Sequence, residues 1–381
     1  MLLKNGLFFE RIFIFLIIIT STYSVLTIFF NFGYLNVNIL FELFFFALFL
    51  FSFGLIRGNL WIAIFFLLYI FINLALYLYS GSGDIRDFLI VNKFIIYTLC
   101  VSLVLPKSLF SREFIQSFFQ LLIFFFLVKY LASRIIGIER PSLFYESNFE
   151  VFFLTVIFSL NFLLQKHKSI FNTIIYIFII LLSGSKSGLF ICFVTILYHY
   201  VLSYDEEIDI RSVIYKFFLS IPIFSLAYFI QDRFSSMDIS KVDRFVFLSL
   251  YIDELKSWSL VNYLFGTYPI TPLSRDTCST LSYYESLFSQ SGKFECFSVV
   301  LHSFILRVTF DHGYIIFAFF LISLFFILIN SGLKREYALF LIVIMVLNGI
   351  SVSSFNSVYI AISFLIVILT NKDGIINSME D

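Results

Sequence analysis

Charge is what this sequence has least of. Only 13% of its 381 residues are Asp, Glu, Lys or Arg, against about 25% in soluble domains. The 25 basic and 25 acidic residues cancel, so nothing in the charge balance points to nucleic acid. Ligating side chains are also few. The 4 histidines and 4 cysteines fall in no metal-ligand spacing, and no Asp-x-Asp pair occurs, so no metal and no cofactor is expected. The basic stretch Met1 to Arg11 leads into a long apolar run without a small-residue cleavage site, which predicts a first membrane helix rather than a removed signal peptide. No internal repeat is visible.

What fills the space is apolar: 60% of the chain, including 57 Phe. A chain this apolar cannot hide its side chains in one water-soluble core, so the bilayer must be their solvent. The Phe content reads as interchangeable apolar side chains on lipid faces, not as a ligand box. A span needs roughly 20 apolar residues. The candidate runs are Ile12–Phe30, Leu35–Leu55, Leu60–Leu78, Phe88–Leu105, Phe114–Leu131, Phe149–Leu164, Ile170–Leu182, Leu189–Leu202, Val213–Ile230, Phe304–Ile329, Ala338–Ile350 and Phe355–Leu369. The expected fold class is an all-α polytopic membrane protein of about 12 transmembrane helices, because lipid offers no partner to open backbone. Continuous apolar runs argue against a β-barrel.

With the N-terminus in the cytoplasm and the spans alternating, roughly twelve basic residues fall on the cytoplasmic side against about six outside. The acidic loop at Asp205, Glu206, Glu207 and Asp209 runs the other way but weighs little in that rule. Three parts are expected: spans 1–9 in residues 1–230, an external loop in 231–302, and spans 10–12 with a short cytoplasmic tail in 303–381. Within the loop, Phe245 to Tyr263 carries apolar residues at helical spacing around Asp253, Glu254 and Lys256 and predicts one amphipathic surface helix. Cys278 and Cys296 share the loop. They pair if it faces an oxidising compartment and their geometry allows, and otherwise stay free.

Charges at the mouth of a membrane protein are functional candidates. Four clusters lie on the predicted outer side. The first is Glu139-Arg140-Pro141-Ser142-Leu143-Phe144-Tyr145-Glu146-Ser147-Asn148-Phe149, either an interfacial anchor or a site in which Arg140 holds an anion and Glu146 orients it or a sugar hydroxyl. The second is Ser183-Gly184-Ser185-Lys186-Ser187-Gly188, either a tight turn or a place where backbone N–H groups and Lys186 approach a phosphate. Its spacing is not that of a Walker loop. The third is Asp243-Arg244. The fourth runs from Leu301 to Gly313 and holds His302, Arg307, Asp311 and His312. His302, at the head of an apolar helix, is the candidate base. Cations on a face remote from ATP suit a substrate that arrives activated and anionic, such as a lipid-linked diphosphate sugar.

The segments RPSLFYESNF, LLSGSKSGLF and LHSFILRVTFDHGYIIF, together with about twelve spans and one long late loop, resemble the O-antigen polymerase (Wzy) and O-antigen ligase superfamily over essentially the whole chain. The resemblance implies a C-type membrane glycosyltransferase in the bacterial inner membrane, with cytoplasmic termini and a periplasmic loop. It would work without metal or nucleotide sugar and move a glycan from undecaprenyl diphosphate to an acceptor hydroxyl. It implies diphosphate or substrate contacts at Arg140, Glu146, Asn148, Lys186, Arg244 and Arg307 and a base at His302. Lys186 stands where the family has Arg, which keeps the charge without the bidentate fork. Ser303 follows His302 where many members have Asn. Gly266 matches the Gly that closes the family's loop helix.

Three functions are expected from this pattern. The first is a repeat-unit polymerase for O-antigen or capsule, with lipid-linked oligosaccharide, membrane lipid and a chain-length regulator as partners and no nucleic acid. The second is a ligase that passes the glycan to lipid A-core. The third, from another class, is a flippase of lipid-linked oligosaccharide, which would carry its charges along a path inside the spans.

Overall fold

The computed structural model describes residues 2–30, 35–80, 84–106, 108–165, 168–202, 243–267, 270–289 and 294–370. The predicted span Val213–Ile230 and the acidic loop 205–209 lie outside them. Every other predicted apolar run is helical. Among the described residues there is no strand, only two isolated bridges. Among the described residues, five helices are long and apolar enough to cross a membrane: Gly6–Leu26, Arg57–Tyr79, Arg112–Ile135, Ser147–Leu164 and Phe304–Asn330. The chain is an all-helical membrane protein. It divides into two compact units, each interrupted in sequence.

The first unit, Met1–Ser52, Pro106–Ser236 and Val358–Asp381, holds α1 (Leu2–Leu26), α2 (Val37–Ser52), α6 (Arg112–Ile135), α7 (Ser147–Leu164), α8 (Ile170–Ser183), α9 (Lys186–Leu197) and α15 (Val358–Leu369). Nearly every side chain of α7 and all of α15 are buried, as expected for helices apolar all round. α7 packs against α6, α9 and α15. Phenylalanine interlocks these helices as well as facing outward. Phe13 stacks on Phe44 at 4.5 Å and meets Phe118 at 4.8 Å, while Phe8, Phe15 and Phe171 are exposed. Helix starts are capped by polar side chains. Ser111 Oγ accepts from Phe114 N–H at 3.1 Å, and the Glu10 carboxylate accepts from Ser111 N–H at 2.7 Å. Two otherwise orphaned donors are satisfied at the positive end of α6.

The second unit, Phe53–Leu105 and Met237–Ser357, holds α3 (Leu60–Ser80), α4 (Ile85–Val91), α5 (Lys93–Ser102), α10 (Asp243–Leu255), α11 (Leu260–Phe265), α12 (Arg275–Thr280), α13 (Phe304–Asn330) and α14 (Arg335–Gly349). Three predicted continuous helices are interrupted here. The run from Phe88 to Leu105 breaks at Asn92, whose φ −90° and ψ 5° are non-helical. The Asn92 amide donates to Phe88 O at 3.0 Å and accepts from Asn73 at 3.3 Å, bonds that compete with the helix ladder. The predicted surface helix Phe245 to Tyr263 splits into α10 and α11, because Ser259 and Asn262 form a capping box that starts a new helix.

The third break lies inside α13 at Gly313, with φ 77° and ψ 172°. Gly266, with φ 79° and ψ −164°, closes α11 against it. A Cβ on Gly313 would stand 2.4 Å from Gly266 N, and one on Gly266 2.5 Å from His312 N. Thr267 N–H donates to Phe310 O at 2.9 Å, taking a carbonyl that the interrupted helix leaves open. Both positions need glycine for their backbone region and for the close approach. Gly266→Ala is therefore expected to lower stability by at least about 1–3 kcal/mol, read as a fall in melting temperature of the detergent-solubilised protein.

Cys278 and Cys296 form a disulfide with Cα atoms 5.6 Å apart. It lies in a buried cluster with Phe247, Tyr251, Leu273, Leu281, Phe288, Val300, Leu301 and Phe310. With 18 residues of separation, loop closure contributes about 3 kcal/mol. Dithiothreitol should lower the melting temperature and expose two alkylatable thiols in the loop. Melting unchanged by full reduction would contradict this.

Candidate functional site

The predicted site residues fall in both units: Arg140, Glu146, Asn148 and Lys186 in the first, and Arg244, His302 and Arg307 in the second.

In the first unit two of the predicted clusters meet. α8 ends at Gly184 in the left-handed region, and Ser185 caps α9 by accepting from Gly188 N–H at 2.9 Å. Asn148 near the start of α7 joins them to the cluster over Glu139 to Phe149. Its Oδ1 accepts from Ser185 Oγ at 2.6 Å and Ser187 Oγ at 3.3 Å, and its Nδ2 donates to Glu146 Oε1 at 3.1 Å. Lys186 lies between the two serines, half-buried at the first turn of α9, where the helix dipole adds to its positive charge. Arg140 is exposed, and its Cγ lies 3.8 Å from the position of a Cβ on Gly184. Arg134 Nε donates to Leu182 O at 2.8 Å, bringing a further cation to the end of α8. A residue outside the predicted set shapes this region. The carboxylate of Glu150, fully buried in α7, accepts from the backbone N–H groups of Leu143 and Phe144 at 2.6 Å each and from that of Tyr145. It fixes the segment that carries Arg140 and Glu146. Its signal was an acidic residue inside an apolar run.

In the second unit, Arg244 and Arg307 converge on the turn after α14. Arg307 Nη1 donates to Ser353 Oγ at 2.7 Å, and Arg244 Nη2 to Ser351 O at 3.5 Å. Arg307 is 4% exposed, yet its Nε and Nη2 have no hydrogen-bond partner among the described residues. Both amide atoms of Asn348, at the end of α14, are buried in the same state. Asp311, one turn along α13, supplies negative charge near the guanidinium. Nearby, the buried His312 pairs with the half-buried Tyr69, with Tyr69 OH 3.0 Å from His312 Nδ1 and Val91 O 3.4 Å from Nε2.

His302 follows a 3-10 turn over 298–301, in the left-handed region at φ 53°. It is half-buried, and its ring packs 5.1 Å from Tyr284 and 5.7 Å from Phe247. A non-glycine residue held there stores strain, which is common at functional sites. Burial pushes the Tyr251 hydroxyl above its ordinary range, so it remains a donor. Its oxygen lies 2.8 Å from Thr309 Oγ1, tying α10 to α13. Among the described residues no group of three His, Cys, Asp or Glu side chains is placed to hold a metal ion.

No protein-family model matches the chain. No curated protein matches it in sequence.

Proposed function

We propose that the chain is a glycosyltransferase of the bacterial inner membrane that polymerises oligosaccharide repeat units carried on undecaprenyl diphosphate. In this reading it has about twelve spans, cytoplasmic termini and a periplasmic loop over 231–302. The observation that carries it is Arg307: a buried guanidinium with two nitrogens that have no hydrogen-bond partner among the described residues, on the same serine turn that Arg244 reaches. A buried cation is costly unless an anion completes it, and a diphosphate has the charge and the acceptors to do so.

The acceptor sugar hydroxyl attacks the anomeric carbon of the donor glycan. The bond from that carbon to the diphosphate oxygen breaks, and the leaving oxygen keeps the electron pair. Arg244 and Arg307 stabilise that charge. His302 takes the hydroxyl proton. Arg140, Lys186, Glu146 and Asn148 serve the substrate in the first unit. A chain-length regulator is the expected protein partner.

The test is purified protein incubated with a single lipid-linked repeat unit. A ladder of longer glycans is expected from wild type and none from His302→Ala, with both proteins extracted equally from the membrane. Normal chain lengths in the variant would sink the assignment of the base. A ligase would make no ladder and would need a lipid A-core acceptor.

One observation favours the flippase reading: Arg307, Asp311 and His312 are buried in a long apolar helix, where a translocation path would need charge. Translocation of a labelled lipid-linked repeat unit across liposomes, with no ladder, would favour that reading over polymerisation.

A further inference from the structure

His302 occupies a backbone region that a residue with a Cβ does not keep by itself. The cost is of order 1–3 kcal/mol and persists only where the surroundings over-determine the conformation. Two anchors flank it. Downstream, Ser303 Oγ donates to Gly349 O at 3.0 Å and accepts from Leu306 N–H at 3.4 Å, starting α13. Upstream, Ser298 opens the 3-10 turn, and its Oγ donates to Asp311 Oδ2. Both Ser298 and Asp311 are buried, so water does not compete for this bond. Asp311 therefore reaches from the third turn of α13 back to the start of the turn that presents His302.

Arg307 Nη1 is on Ser353, and His312 faces Tyr69 and Val91 O. The charge of Asp311 acts on Arg307, while its hydrogen bond acts on Ser298. The packing of Gly313 against Gly266 and Leu264 ends the helical segment directly after His312, which limits how far Asp311 can shift along its axis.

We infer that Asp311 is a positioning residue, which holds the 298–301 turn through Ser298 and so keeps His302 aimed at the acceptor hydroxyl. The inference rests on the reading of His302 as the base. It separates Asp311 from the diphosphate contacts, because the group it serves is the acceptor side of the reaction.

Two variants test it against the wild-type ladder. Asp311→Ala and Ser298→Ala each remove the bond. Each is expected to lower kcat by about 10- to 100-fold, the size of effect that a misplacement near 1 Å produces, with KM for the lipid-linked donor within about twofold. Asp311→Asn keeps an oxygen for the Ser298 hydroxyl and should recover most of the loss. Asparagine as poor as alanine would overturn the inference, since charge rather than the hydrogen bond would then matter. So would a loss that appears in KM alone.

A second readout needs no turnover. Diethyl pyrocarbonate modification of His302, followed by peptide mass, should change several-fold in rate in Asp311→Ala and Ser298→Ala and return in Asp311→Asn. Rates equal in all variants would overturn the inference. A wild-type protein that makes no ladder but shows this pattern would remove the polymerase reading and leave the positioning intact.

Discussion

Glu150→Ala should leave little folded protein in the membrane. The carboxylate is fully buried, and three consecutive backbone N–H groups, from Leu143, Phe144 and Tyr145, end on it. Removing the acceptor strands the N–H groups of the buried Leu143 and Phe144 away from water, each at about 1–3 kcal/mol, and releases that of the exposed Tyr145. The sum reaches the lower end of the net stability of an ordinary domain, about 5–15 kcal/mol. The Lys129 ammonium in α6 also loses a nearby negative charge. Glu150→Gln should fall between. Its single oxygen can serve Phe144 and Tyr145, as Oε1 does now, but its NH2 then faces the N–H of Leu143. Fluorescence-detected size-exclusion chromatography of detergent extracts gives the check. Wild-type peaks and melting temperatures for the alanine variant would show that the carboxylate does not hold the segment.

Much of the helical fold was legible because a spanning backbone has no alternative partner, so each long apolar run already implied its helix. The interruptions were not. Asn92 sits in an apolar run, and the amide that breaks it pairs not only with Phe88 O but with Asn73 on another helix. Gly313 reads as one more small residue in an apolar run until Gly266 is packed against it. Both are tertiary facts.

The candidate site shows the same division. Glu146, Asn148, Lys186, Arg244, His302 and Arg307 stood out as polar residues in apolar surroundings. That Asn148 bridges two of the clusters, or that Arg244 and Arg307 share one turn, depends on chain crossings that spacing does not reveal. Glu150 was missed although its signal was present, one residue beyond the polar segment. The four-residue interval from Arg307 to Asp311 places them on one helix face and could have been read as a pair.

Arg307→Met should separate activity from stability. The guanidinium is 4% exposed, with Nε and Nη2 unsatisfied among the described residues. An ion in that state is held against its desolvation cost, which amounts to several kcal/mol even after relaxation. Methionine fills a similar length of side chain without charge. The substitution leaves Ser353 without its donor, at about 1 kcal/mol, and Asp311 without its nearby cation. Ser298 still donates to Asp311, so that carboxylate keeps a partner. The balance favours a melting temperature equal to or above that of wild type. Activity should move the opposite way. Loss of one preorganised donor to a developing charge typically lowers the rate by about 10²–10³-fold, and the diphosphate would lose a contact that Arg244 alone does not replace. Arg307→Lys should recover part of the rate, since it restores charge without the fork. Melting curves and ladder assays on the same preparations decide the matter. A variant that loses stability and activity together would mean that Arg307 is a structural cation whose open nitrogens serve no substrate. A stable variant with wild-type ladders would remove the anion site from the mechanism.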